Sequence, residues 1–346
     1  MRKEFGYTTL AYFIYRSAFI GISSVSLVTL THQDSWISIL IAFVIGFIPL
    51  LLFYKIASIK EELNILEKID YSFPKIGKYL KLLLGLAVFC LILLNFWNLT
   101  NLVVSQFLSR TPILVVSISL IVPIIYLISQ NNVVISRTSL ILFFLTAIFW
   151  ILSATGLISK FQFNNLMPVL EYNPLKGVIP YISYNILPIF ILLIFPNKHI
   201  KKSLFTGYVI ASTSIFIVMM FLIAVLGIDL VTIIQYPEFH ILKLVFEGFV
   251  TYRLENMLAT QWIFDIFIFT SIGLKFCNES FNLKKIYIFP ILLILINSIL
   301  FKNNTIANEL VTYCFPYIIP IFFFIFPLII YLKLKKNEKQ IISQEN

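Results

Sequence analysis

Asp265 is the residue whose place in the sequence most directly implies chemistry. It lies about ten residues into an apolar run, flanked by Trp262, Ile263, Phe264, Ile266 and Phe267. A carboxylate at the middle of a bilayer costs about 2.5–3.5 kcal/mol on insertion scales, so it must face a cavity or a partner. It could hold a proton or a cation; a structural hydrogen bond to Asn or Ser on a neighbouring helix is the alternative. A second group lies between two prolines. Pro180 and Pro188 enclose Tyr181, Ser183, Tyr184 and Asn185 in a segment that runs from Asn173 to Pro196. Each proline removes a backbone donor and clashes with the preceding turn, so an unbroken α-helix is not expected. Backbone freed from a helix at membrane depth survives only where protein or a water-lined cavity satisfies it, and such breaks mark transporter binding sites. A proline-kinked helix packed on its neighbours is the competing description. Gly21-Ile22-Ser23-Ser24 offers a similar break near the N-terminus, although Gly and Ser also serve helix packing in membranes. Asn95, Asn98 and Asn101 recur at i, i+3 and i+6, along one helix face, where they line a polar path or bond between helices.

The elements that position these groups are membrane spans. Of 346 residues 60% are hydrophobic and 12% charged, with a mean hydropathy of +0.95. A soluble domain could not bury that apolar surface, which implies a polytopic membrane protein. Ten spans can be drawn: Thr9–Leu30, Trp36–Ile56, Leu80–Val104, Pro112–Ser129, Thr138–Ile158, the proline-broken segment, Leu204–Gly227, Asn256–Phe276, Ile286–Phe301 and Val311–Leu332. The first is too long for a signal-peptide core and lacks a small-residue cleavage site, so it is expected to stay as a helix.

The formal charge of +10 reports topology, not nucleic acid, because the Lys and Arg residues sit in short loops. With a cytoplasmic N-terminus, twenty of 26 basic residues fall inside, Arg16 counted among them. Both termini are therefore expected in the cytoplasm. Cys90, Cys277 and Cys314 have no paired spacing, which indicates neither disulfide nor thiolate metal site. No GxxxxGK, HExxH or GxSxG occurs, and His32, His199 and His240 map to loops, so the chain does not read as an enzyme and no metal is expected.

Ten spans with both ends inside divide into halves of five, about 9–158 and 175–332, within one transmembrane domain (1–335) followed by a polar cytoplasmic tail (336–346). Five is odd, so the halves are inverted relative to each other. The fold class expected is all-α, a LeuT-like, amino-acid-permease 5+5 inverted repeat with helices one and six broken. In such folds spans one and eight build a cation site, which makes Asp265 the candidate for a coupling H+ or Na+; no other cofactor is implied. Residues 228–255 form the longest outer loop. Tyr236-Pro237-Glu238 starts a helix there, with proline first and an acid in the first turn. Ile241, Leu242, Val245, Phe246 and Phe249 continue it at helical spacing. Tyr236, Pro237, Glu238 and Phe246 would then belong to a gating lid over the vestibule; an interfacial helix without a gating role is the alternative. Arg253 and Glu255 read as an interfacial pair at the outer mouth of span eight.

Several stretches together carry a family likeness. They are Gln33-Asp34-Ser35-Trp36-Ile37-Ser38, Pro74-Lys-Ile-Gly-Lys78, Thr111-Pro112, Ser136-Arg137, Asn165-Leu-Met-Pro168-Val, and Tyr236-Pro237 followed by Arg253-Leu-Glu255 and Trp262. Over residues 1–335, in this order, the chain resembles the endospore germination permeases, the B-subunits of GerA-type nutrient germinant receptors in the amino acid–polyamine–organocation superfamily. Asn131-Asn132 departs from the family's usual glycine before the arginine. The resemblance implies a receptor of the spore inner membrane that works with A- and C-subunits, answers amino acids, sugars or nucleosides, and triggers ion release. A germinant, an amino acid by preference, is expected at the breaks of spans one and six, held by Gly21, Ile22, Ser23, Ser24, Asn98, Tyr181, Ser183, Tyr184 and Asn185. The alternative is a proton- or cation-coupled amino acid permease. The partners implied are the other subunits, the small germinant and the lipid bilayer, with no nucleic acid.

Overall fold

The computed structural model describes residues 2–195, 200–245, 254–300 and 304–345. Every long element is a helix, as the bilayer demands of a chain with no water to satisfy its backbone. Span one begins as α1 (Arg2–Arg16), unwinds over Phe19–Ser23 and resumes as α2 (Ser24–Thr31). Span two is α3 (Ser35–Ile45) and α4 (Phe47–Ser58), jointed at Gly46. A short amphipathic helix, α5 (Ile65–Ser72), follows; its start is fixed by a capping box in which Asn64 and Glu67 satisfy each other's backbone N–H groups. Span three is α6 (Gly77–Leu102), span four α7 (Ile113–Ser129) and span five α8 (Asn132–Leu157).

Span six starts as α9 (Leu175–Tyr181), passes through a π-helical turn at Ile182–Ile186, and tightens to a 3-10 helix over Leu187–Ile194. The two prolines act here by changing the helical pitch, since neither can donate to the carbonyl four residues back. Span seven is α10 (Ile200–Leu226), and the outer loop folds into α11 (Ile228–Ile233) and α12 (Pro237–Lys243). Span eight is α13 (Leu254–Ser280) and span nine α14 (Ile288–Leu300). The segment before span ten forms a helix of its own, α15 (Asn304–Tyr313). Span ten is α16 (Phe315–Pro320), a π-helical turn and α17 (Phe326–Glu345), which carries helix through the expected polar tail.

Among the described residues seven helices are long and apolar enough to cross a bilayer, the first of them running through spans one and two, and α7 and α14 are shorter apolar helices. Spans one and six are the centre of the bundle. Leu10, Ala11, Phe13 and Ile14 of α1 are fully buried, and so are Ile189 to Leu193 of span six. α1 packs on α10, α8 and α13, while α13 lies against α6, α7 and α8. Span five, in contrast, exposes Ile141, Phe144, Ile148 and Ile151 on its outer side, the face a membrane protein turns to lipid.

Candidate functional site

The break in span one is set by two residues. Ile20 is extended (φ −72°, ψ 127°) and Gly21 is left-handed (φ 68°, ψ −5°). A side chain at Gly21 would be strained by that φ, and its Cβ would also lie 2.5 Å from the Tyr236 ring and 2.6 Å from Asn98 Oδ1. The freed backbone is captured by side chains. Asn98 donates to the Ile20 carbonyl at 2.6 Å, and the Gly21 N–H donates to Ser24 Oγ (3.1 Å) and to Glu238 Oε1 (3.3 Å).

Tyr236 and Glu238 bring the outer loop onto this break. Tyr236 is left-handed (φ 60°, ψ 60°) and Pro237 opens α12, as the sequence leads one to expect of a proline at a helix start. The Tyr236 hydroxyl accepts from Asn101 at 2.9 Å and points its own proton toward the Asn98 oxygens at 3.2 Å. Asn98 and Asn101 therefore connect span three to break and loop, whereas Asn95 donates back to the Leu91 carbonyl of its own helix. Phe246, Phe249 and Arg253 lie outside the described residues.

Over the break sits a cavity of about 420 Å³, in the range of small-molecule sites. Its floor is Gly21, Ser24, Trp97 and Asn98; its outer wall is Val231 to Pro237; its far side is Asn308, Glu309, Thr312 and Tyr313 of α15. Glu309 is the one charged side chain among the described residues that line it. Of the expected ligand contacts, only Gly21, Ser24 and Asn98 reach this cavity.

The others are structural ties beneath it. Asn185 donates to Ser23 Oγ at 2.7 Å, Ser183 to the Pro316 carbonyl and Tyr184 to the Val311 carbonyl, both at 2.6 Å. Tyr181 and Ile22 are buried in the core. The polar middle of span six thus joins span six to span one and to the segment around span ten. The α15 residues were missed as a site: Ile306, Ala307, Leu310 and Val311 recur at helical spacing and signal a helix, but not which cavity its polar face would line.

Asp265 is buried near the middle of α13, but its neighbour is Arg16, not Gly21–Ser24. Arg16 Nε donates to Asp265 Oδ2 at 3.2 Å, and a terminal guanidinium nitrogen lies 3.2 Å from the same oxygen. Arg16 also donates to the Tyr12 hydroxyl and, at 3.5 Å, to Ser214 Oγ. Its place among the cytoplasmic charges is therefore corrected: it is a buried residue, 5% exposed, at the end of α1. The signal was present, since Arg16 falls inside span one as drawn and a charge within a span needs a partner. Asp265 Oδ1 has no hydrogen-bond partner. Among the described residues no three His, Cys, Asp or Glu side chains cluster as metal ligands would.

Helices long and apolar enough to cross a bilayer, arranged in one all-helical bundle, make this a multi-pass membrane protein. In agreement, the fold is similar to that of a manganese transporter mutant from Eremococcus coleocola, with a TM-score of 0.52 at 14% identity, covering 94% of this chain and 78% of that one. Residues 8–306 match the spore germination protein family, and the chain belongs to it. No curated protein matches the chain. The family is that of the spore germination permeases.

Proposed function

We propose that the chain is the membrane-embedded B-subunit of a spore germinant receptor and that the cavity above the span-one break is its germinant site. The cavity carries this reading: its lining mixes polar and apolar side chains, it is of small-molecule size, and it is closed on one side by the same loop that contacts the break. A small molecule with an amino group fits it, the ammonium toward Glu309 and a carboxylate or other hydrogen-bond acceptor toward the hydroxyl and amide groups of Ser24, Asn98 and Thr312. An amino acid is the preferred class. Tyr236 of the loop lies on both cavity and break, so a ligand that binds the seated and the lifted loop with different affinity shifts the receptor between those two states. The signal would pass to A- and C-subunits and end in ion release, with the chain in the spore inner membrane and both termini cytoplasmic.

The test is the germinant dose response of spores carrying Ser24→Val or Thr312→Val. A tenfold rightward shift, equivalent to about 1.4 kcal/mol, is expected of either. An unchanged curve in both rejects the site. The second reading, a coupled amino acid permease, draws on the transporter fold. Uptake into vesicles containing this chain alone, abolished by Asp265→Asn, would select it; loss of all function without the other subunits would select the receptor.

A further inference from the structure

Glu238 is a carboxyl group that neither the cavity nor the Arg16–Asp265 pair accounts for. It is fully buried, and its Oε1 rests on the Gly21 N–H. No cation meets it among the described residues. On its own helix, Lys243 lies over the Phe239 ring, 4.9 Å from the centroid, and His240 also sits against that ring. Tyr236 is engaged with Asn98 and Asn101, both uncharged. Span one presents Gly21 and Ser24. α10 presents Ile217, Val218 and Phe221, and α8 presents Trp150 and Ser153. α13 presents Gln261; one turn deeper is Asp265, already paired with Arg16.

The second oxygen, Oε2, has no hydrogen-bond partner, and neither has Gln261 Oε1. Both residues line one small cavity of about 50 Å³ under α12. Two buried acceptors belong to residues of one cavity and lack a donor, and an ionised carboxylate there would be a buried charge left unpaired. A proton on Oε2 removes that charge. A metal cation is poorly served, because hard ions gather about six oxygens. Here the remaining hydroxyl, Ser153, already donates to the Phe149 carbonyl, and the other walls offer no side-chain oxygen.

We propose that Glu238 is a proton-binding site of the outer gate: with α12 seated on the break its carboxyl carries a proton on Oε2, and it gives that proton to outer water when α12 lifts. The proposal rests on the reading of α12 as a lid. Burial pushes the Glu238 carboxyl up from its ordinary value, against smaller lowering effects of Ser24 and backbone amides. By linkage, acid outside the membrane favours the seated lid, and a ligand that lifts α12 releases a proton.

The test is infrared difference spectroscopy of the full chain in lipid nanodiscs, titrated from neutral to acid pH without germinant. A protonated-carboxyl band is expected that titrates above free glutamate, is lost in Glu238→Gln and is kept in Asp265→Asn. If Glu238→Gln does not fold, Glu238→Asp must move the band's frequency. A wild type without the band, a band that survives Glu238→Gln, a band unmoved by Glu238→Asp, or a midpoint that follows sodium concentration overturns the proposal. The readout needs neither germinant nor partner subunits, so its failure leaves the germinant cavity standing, and an unchanged germinant dose response leaves the proton site standing.

Discussion

Removing Arg16 is expected to cost more than removing any other single polar group in the bundle. Arg16→Met would leave Asp265 with neither oxygen satisfied, because Oδ1 has no partner to begin with and Oδ2 depends on the guanidinium. Breaking a buried pair from one side costs about 3–5 kcal/mol, the penalty of an uncompensated charge. Asp265→Asn is the gentler change. It leaves Arg16 its contacts with Tyr12 and Ser214 and an amide oxygen in place of the carboxylate, but the buried guanidinium then has no counter-charge, so the lower end of that range, about 3 kcal/mol, is expected. The double variant Arg16→Met/Asp265→Leu removes both charges and fills the space with apolar atoms. It should return to within about 1 kcal/mol of the wild type or exceed it. The assay is reversible unfolding in mixed micelles for the four members of the cycle, with wild type as the reference. The expected coupling is several kcal/mol. Additivity of the two single changes to within about 0.5 kcal/mol, the behaviour of independent sites, would refute the reading of a closed buried pair.

Three further outcomes follow from the same geometry. Gly21→Ala places a Cβ against Tyr236 and Asn98 at a left-handed φ; the conformation alone costs about 1–2 kcal/mol, and labelling of a cysteine introduced on α12 should accelerate as the loop is pushed off. Tyr236→Phe removes the acceptor of Asn101 and the donor to Asn98, lowering stability by about 1–3 kcal/mol in the same unfolding assay, with no change if those bonds are not formed. Lys68 of α5 is buried, its ammonium donating to the Ile56 carbonyl at 2.8 Å, and desolvation lowers its pKa to about 8. A lysine depressed in the folded state binds its proton more tightly when unfolded, so stability rises from about pH 8 toward the ordinary lysine value, by roughly 3 kcal/mol. Unfolding measured across that window should lose its slope in Lys68→Met; a retained slope would assign it elsewhere.

Much of the architecture was readable from local patterns. Hydropathy finds spans because each span meets lipid by itself, whatever it later packs against. Gly21 could be chosen as the point of unwinding because only glycine takes a left-handed φ without strain, and Pro237 could be chosen as a helix start because its missing N–H does no harm there. Pro180 and Pro188 announced that span six would not hold α-helical pitch. They did not say which way its polar residues would face, and Tyr181, Ser183, Tyr184 and Asn185 turned into packing contacts.

What the tertiary structure alone decided are the pairings between residues distant in the chain. Asp265 and Arg16 are separated by 249 positions, and Glu238 and Gly21 by 217. A carboxylate in a span says that it needs a partner but not which one, since the partner depends on how helices rotate about their own axes when they pack. Asp265 and Glu238 had the same chemistry in the sequence. Packing gave the first a guanidinium and left the second on a peptide N–H with its other oxygen unpartnered, and that difference separates a fixed charge pair from a group able to take up and release a proton.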